Sequence, residues 1–197
     1  MEENTTNYAF VVVDPSSGGV HSKTTVIGGY FANARTLTVM KPVQQTCNTV
    51  ADEETTVFDY IDSVVERFSP SKVVVVLIVE NTMGFTAKKL DRLRSSTHEL
   101  DDYFVLRTPS NNKHGVCTSR RDRARYGART NKMIKAGTVI YPTAYEFAAW
   151  GMITTDSTQD IIYAFNMLCF FASELTTPDS PYAPQLVTFK QLVDARS

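Results

Sequence analysis

The chain has 197 residues, 20 basic and 21 acidic side chains, a formal net charge of −1 and 43% hydrophobic residues. These values fit one globular domain with a sizeable core and exclude a low-complexity or strongly charged chain. Cys47, Cys117 and Cys169 form no CxxC motif, which predicts reduced thiols and no zinc site. No apolar run reaches membrane-spanning length and the polar start is no signal peptide, so we expect a soluble intracellular protein.

The first half of the chain predicts a β-meander and then a strand that is reached through a helix. Val11-Val12-Val13 and residues 73–79 are uninterrupted apolar runs, which are typical of strands buried on both faces. Because a helix separates them, we expect parallel pairing and therefore a mixed sheet. The predicted elements are strands over residues 8–14, 24–31 and 36–41, a polar loop over 42–50, a helix over 52–68 and a strand over 73–80.

The second half predicts helices that cover this sheet. Residues 160–175 are almost wholly apolar, which indicates a helix packed on the sheet. In the preceding predicted helix, residues 120–135, Gly127 predicts an interruption. Three prolines after residue 175 indicate a weakly ordered end or a segment that docks elsewhere, so we assign a domain to 1–175 and a C-terminal tail to 176–197. The remaining predicted elements are helices over 87–94 and 120–135 and strands over 103–106 and 138–141.

Three acidic residues stand at the ends of apolar elements. Asp14 closes the first strand before a Pro/Ser/Gly turn, Glu80 closes the fourth strand, and Asp160 opens the last helix. Buried carboxylates are costly unless they are paired or hold a metal, and three of them favour a Mg²⁺ site. Each also has a structural alternative: Asp14 caps the turn, Glu80 joins an ion pair, and Asp160 is a first-turn helix residue favoured by the helix dipole.

A basic segment lies between Arg107 and Lys135. It holds nine basic residues and one acid, Asp122, so the rest of the chain is acidic overall. Such a concentration of positive charge is typical of contact with a phosphate backbone, and a solvated helix face is the alternative. The residues predicted to bind DNA are Lys113, Arg120, Arg121, Arg123, Arg125, Arg129 and Lys132.

The predicted order β-β-β-α-β-α-β-α-β-α, with acids on the first strand, the fourth strand and the last helix, resembles the ribonuclease H-like nuclease fold. The local sequence is most similar to the C-terminal nuclease domain of terminase large subunits, the DNA-packaging motors of tailed bacteriophages and herpesviruses. The resemblance covers residues 8–175, and 120–142 is similar to the family's basic helix, Gly, short strand and Pro. It is carried by Asp14-Pro15 with its Ser/Gly turn, Thr24-Thr25-Val26-Ile27-Gly28-Gly29, Val79-Glu80-Asn81 and Gln159-Asp160-Ile161-Ile162.

The resemblance implies an α/β fold with a mixed central sheet, built from a β-meander and then crossover strands, and flanked by helices. It also implies a DNA endonuclease that cuts concatemeric viral DNA by a two-metal mechanism, with two Mg²⁺ or Mn²⁺ ions held by Asp14, Glu80 and Asp160. The family's last motif often has two adjacent acids, but Gln159 replaces the first here, so Asp156 is an alternative third ligand. The chain has no GxxxxGK[ST] motif, so the ATPase half of a terminase is not part of it.

The implied partners are double-stranded DNA, a terminase ATPase domain or other packaging subunits, and the portal, with no membrane. The implied location is inside an infected host, in the nucleus for a herpesvirus-like protein and in the cytoplasm for a bacteriophage protein. Three alternatives remain. They are a Holliday-junction-resolvase-type nuclease, a non-catalytic DNA-binding or assembly module of the same fold, and an actin-like ATPase half, for which the sequence offers no second Asp-Gly hairpin.

Overall fold

A computed structural model describes residues 7–15, 23–33, 35–69, 73–80, 103–106, 115–116, 118–141, 156–177 and 186–188. Their strands are β1 (Asn7–Asp14), β2 (Lys23–Asn33), β3 (Thr36–Val39), β4 (Val43–Thr46), β5 (Val73–Val79), β6 (Tyr103–Leu106), β7 (Val139–Ile140) and β8 (Leu186–Thr188). Their helices are α1 (Val50–Phe68), α2 (Arg120–Lys135) and α3 (Asp156–Leu175). None of these described helices has the length and apolar character needed to cross a bilayer.

The strands form one mixed sheet in the order β7-β3-β2-β1-β5-β6-β8, with β4 also paired to β2. Strand β1 pairs antiparallel with β2 and parallel with β5, so the parallel pairing predicted from the helical crossover is confirmed. Both β1 and β5 are central and buried on both faces, which explains why their sequences are apolar runs without alternation.

Two helical layers cover the two faces of the sheet. Successive side chains of a strand point to opposite faces. In β1, Ala9, Val11 and Val13 pack in a cluster with α1, whereas Phe10 and Val12 pack in a cluster with α2 and α3. Three phenylalanines of α3 lie in the second cluster and are at most 2% exposed, as the predicted packing of this helix on the sheet requires: Phe165, Phe170 and Phe171.

Helix α1 begins with a reciprocal capping box between Thr49 and Asp52, as its acidic start predicts. On the sheet side, the Tyr60 hydroxyl accepts a hydrogen bond from the Gly28 backbone N–H at 2.7 Å and donates to the Lys41 carbonyl at 3.1 Å. A Cβ atom on Gly28 would lie only 3.0 Å from Tyr60 Cε1. Glycine at this position therefore allows α1 to approach β2 closely.

Two local predictions are wrong. Residues 42–50 are not simply a loop, because β4 pairs antiparallel with residues 23–26 of β2. Strand β3 pairs only with the later half of β2. The backbone groups in the earlier half of β2 can therefore pair with β4, although the sequence of β4 is polar. Gly127 does not interrupt α2, since a single glycine costs a helix about 1 kcal/mol and need not end it.

Three further observations concern the ends of elements. Helix α3 begins at Asp156 rather than at Asp160, one turn earlier than predicted. Strand β8, inside the predicted tail, pairs antiparallel with β6, so the sheet extends beyond residue 175. The predicted helix over 87–94 lies outside the described residues.

Candidate active site

Asp14 and Glu80 lie side by side because of strand register. Val13 pairs with Val79 across the parallel strands β1 and β5, so the next residue of each strand reaches the same edge of the sheet. Residues with even numbers in both strands, such as Val12 and Ile78, face α2 and α3. Both carboxyl groups therefore point to the face that α2 and α3 cover, and they share a hydrogen bond.

Glu80 is 3% exposed and is contacted by groups from three other parts of the chain. Its backbone forms an isolated parallel bridge with Val116, which brings Val116 and Thr118 close to the end of β5. The Thr118 hydroxyl donates a short hydrogen bond to Glu80 Oε1, and the Tyr163 hydroxyl of α3 donates to the same oxygen at 2.7 Å. The Arg123 guanidinium lies 3.7 Å from that oxygen and 4.4 Å from the centre of the Tyr163 ring.

The pKa of Asp14 is raised from 3.8 to about 9. Burial is the largest cause, followed by the hydrogen bond to Glu80 and repulsion from Glu80 and Asp160, while Arg123 acts in the opposite direction. In the absence of a metal, burial and repulsion among the clustered carboxylates therefore favour the protonated form of Asp14.

Asp160 is close enough to Asp14 to raise the pKa of that carboxyl group. Because α3 begins at Asp156, Asp160 lies in the second turn of the helix. Its interpretation as a first-turn residue stabilised by the helix dipole is therefore wrong, because that effect fades beyond the first turn. The side chain of Asp156, the alternative ligand, lies outside the described part of the chain.

The acids meet the chemical requirement for a divalent cation but do not form a finished metal site. In the described ranges, no three Asp, Glu, His or Cys side chains are already arranged to hold an ion. The carboxyl groups of Asp14 and Glu80, however, are close enough to share a hydrogen bond, and a hard cation is favoured between two such groups. This donor set fits Mg²⁺ or Mn²⁺, and the role of each acid as a ligand stays a prediction.

Helix α2 has two kinds of basic side chain. Arg120, Arg121 and Lys132 are exposed. Arg125 is also exposed but lies 4.7 Å from the centre of the Phe170 ring, and Arg129 forms a 2.5 Å salt bridge with Glu174. Arg123 is exposed and reaches the acid site, and Lys113 lies outside the described residues. Three cations of the predicted DNA-binding set therefore also contact other groups of the protein.

The residues missed by the sequence analysis are Thr118 and Tyr163. Tyr163 follows Asp160 by three positions in α3, so both lie on one face of the helix, and this spacing could have indicated it. Thr118 had no such signal, because it approaches Glu80 only through the bridge of Val116 to β5. Another cation near the exposed end of α2 is Arg35 in the β2–β3 turn, which lines a 320 Å³ cavity with Arg129 and Lys132.

Among solved structures, the nuclease domain of human cytomegalovirus terminase is similar in structure to this chain. One structure of that domain matches 95% of this chain and 91% of its own length with a TM-score of 0.70 at 15% identity. A Mn-soaked, inhibitor-bound structure matches over the same shares with a TM-score of 0.64 at 14% identity. The yeast mitochondrial Holliday junction resolvase Ydc2 matches with a TM-score of only 0.40, which supports no inference. No family model matches the sequence, and no curated protein matches it significantly.

The match extends over nearly the whole length of both chains, 95% of this one and 91% of the other. Sequence identity near 15% establishes the fold alone. The predicted α/β, ribonuclease H-like fold is confirmed: this chain has the fold of the terminase nuclease domain.

Proposed function

We propose that this protein is a metal-dependent endonuclease that hydrolyses phosphodiester bonds of double-stranded DNA. The observation that carries the proposal is the hydrogen-bonded pair of Asp14 and Glu80, with Asp160 close enough to act on Asp14. The human cytomegalovirus terminase nuclease domain, whose fold this chain shares, has been solved after soaking with Mn, which supports the choice of a divalent cation as cofactor.

In the proposed site, Asp14, Glu80 and Asp160 would hold two Mg²⁺ or Mn²⁺ ions, with Asp14 between Glu80 and Asp160 as the shared ligand. When bound, such an ion pair supplies a water of lowered pKa and stabilises charge on the leaving oxygen. The protein's own groups prepare the ligands. Asp14 would give up its proton on binding a cation, and the Arg123 charge opposes the rise in the pKa of Asp14 that the neighbouring acids cause.

The proposed substrate contact is the exposed surface of α2, which begins next to the acid site. Arg120, Arg121 and Lys132 are free to meet phosphates in solvent, and Arg123 reaches from this surface to Glu80. Contacts of this kind bind the DNA backbone without reading its sequence. This arrangement supports a nuclease with little sequence preference of its own.

The proposed biological role is the cutting of concatemeric viral DNA during genome packaging. The shared fold with a viral terminase nuclease domain supports it. In that role the partners are a terminase ATPase domain or other packaging subunits and the portal. The protein would act in the infected host, in the nucleus or the cytoplasm according to the type of virus.

The test is nicking and linearisation of a supercoiled plasmid with Mn²⁺, Mg²⁺ or EDTA. We expect cleavage by the wild type only with metal, and a loss of at least about 100-fold in Asp14→Ala, Glu80→Ala and Asp160→Ala, more than is typical for removing an outer partner of a metal ligand. The matched control is Asp59→Ala, because Asp59 is an exposed carboxylate on α1 and should leave the rate unchanged.

Other outcomes decide between the alternatives. DNA binding without cleavage in any metal would refute the nuclease and leave a non-catalytic binding module. Preferential cleavage of four-way junctions over linear duplex would indicate the resolvase type. Retained activity in Asp160→Ala, together with loss of activity in Asp156→Ala, would identify Asp156 as the third metal ligand.

A further inference from the structure

Three groups converge on one of the two carboxylate oxygens of Glu80. Thr118 and Tyr163 both donate to Oε1, and the nearest Arg123 nitrogen lies 3.7 Å from the same atom. These groups come from three separate places, the segment before α2, α2 itself and α3. A merely buried glutamate needs one satisfied partner, so this convergence calls for another explanation.

Two hydroxyl donors fill the bonding capacity of Oε1, because a carboxylate oxygen has two lone pairs. A cation that binds Glu80 must then use the other oxygen. The two hydrogen bonds also fix the rotation of the carboxylate plane, since both restrain the same atom while the β5 backbone restrains the other end of the side chain.

The Tyr163 side chain, which donates to Glu80 Oε1 at 2.7 Å, is itself held in place by a second contact. The Arg123 guanidinium over the ring at 4.4 Å further restrains the tyrosine.

We infer that Thr118 and Tyr163 are positioning residues that hold Glu80 by Oε1, so that only its other oxygen is presented to a divalent cation. This inference rests on the proposed metal-dependent function. It assigns neither residue a contact with substrate or metal, and it predicts that their hydroxyl groups, rather than their bulk, set the metal affinity of the site.

The test measures binding of Mn²⁺ alone, from the electron paramagnetic resonance signal of the free ion, and uses cleavage rates as a second readout. Thr118→Val removes the hydroxyl and keeps the shape, Thr118→Ser keeps the hydroxyl, and Tyr163→Phe removes only the donor. Tyr8→Phe is the matched control, because Tyr8 is 52% exposed at the opposite end of β1. Thermal melts verify that each variant is folded.

We expect Thr118→Val and Tyr163→Phe to weaken Mn²⁺ binding roughly 10- to 100-fold, with Thr118→Ser and Tyr8→Phe within about threefold of the wild type. Unchanged Mn²⁺ affinity in the first two variants would overturn the inference and leave the proposed function intact. Equal losses in Thr118→Ser and Thr118→Val would overturn it too, because the hydroxyl would not be the deciding group. If the wild type itself binds no Mn²⁺, the proposed metal centre fails, and the inference fails with it.

Discussion

Glu53 and Glu80 are carboxylates of almost equal burial, 5% and 3% exposed, on opposite faces of one sheet. Glu53 of α1 accepts a 2.7 Å hydrogen bond from Thr24 of β2. Glu80 also accepts bonds from hydroxyl groups, but it has a second carboxyl group, Asp14, as a hydrogen-bond partner. The difference teaches that a buried acid is not by itself a functional site. What marks a site is a pair of acids that a proton or a cation must hold together.

The largest expected effect concerns the stability cost of this pair. The pKa of Asp14 is about 9 in the folded state, whereas its ordinary value, which we assign to the unfolded state, is 3.8. At a pH between these two values, the folded state binds more protons than the unfolded state. The free energy of unfolding should therefore fall as pH rises from about 4 to about 9. In EDTA, Asp14→Asn should flatten this slope and raise stability at pH 8 by about 1–4 kcal/mol. Thermal or urea unfolding at pH 5 and pH 8 measures both quantities.

Glu53→Gln is the control on the opposite face. Its amide oxygen can still accept the Thr24 hydrogen bond, so we expect no gain in stability at pH 8. A gain in this variant equal to that of Asp14→Asn, or the same effect of Asp14→Asn at pH 5 and pH 8, would show that clustering of acids is not the cause.

A smaller effect on stability is expected from two glycine substitutions, one on each face of the sheet. Gly28→Ala would place a Cβ 3.0 Å from the Tyr60 ring and disturb the bond to its hydroxyl, so we expect a loss of about 1–3 kcal/mol. Gly127→Ala in α2 would place a Cβ 3.7 Å from Asn166 Nδ2, an ordinary contact, and should stabilise by about 0.5–1 kcal/mol through helix propensity. Urea unfolding of the two variants should give opposite signs, and equal signs would contradict the close approach of α1.

The smallest effect separates exposed from paired cations within α2. Arg121→Ala and Lys132→Ala each remove an exposed charge. Log affinity for DNA should therefore fall less steeply with log salt concentration, by about 0.9 in slope for each phosphate contact that is lost. Arg129→Ala breaks the salt bridge to Glu174, which is 15% exposed, and should instead lower stability with little change in slope. DNA-binding titrations at several salt concentrations measure the slopes. Equal slopes in all three variants would mean that the exposed surface of α2 does not bind the DNA backbone.

Part of the fold and of the site could be read from the sequence because the signals are local. The runs Val11-Val12-Val13 and 73–79 identified the central strands, and the helix between them fixed their parallel pairing. An acid directly after each run identified Asp14 and Glu80 as neighbours. Strand β4 was missed because its pattern is polar, and pairing with the open half of β2 forms it rather than its own propensity.

The sequence by itself determined the central strands, the crossover, the covering helices and the acids at their ends, since apolar periodicity and turn residues act over short distances. Only the tertiary structure decided that Thr118 and Tyr163 meet on one oxygen of Glu80, that the protonated form of Asp14 is favoured, and that Arg129 serves a salt bridge. These features depend on groups far apart in the chain, whose distances and dielectric surroundings exist only after the sheet and its two helical layers have packed.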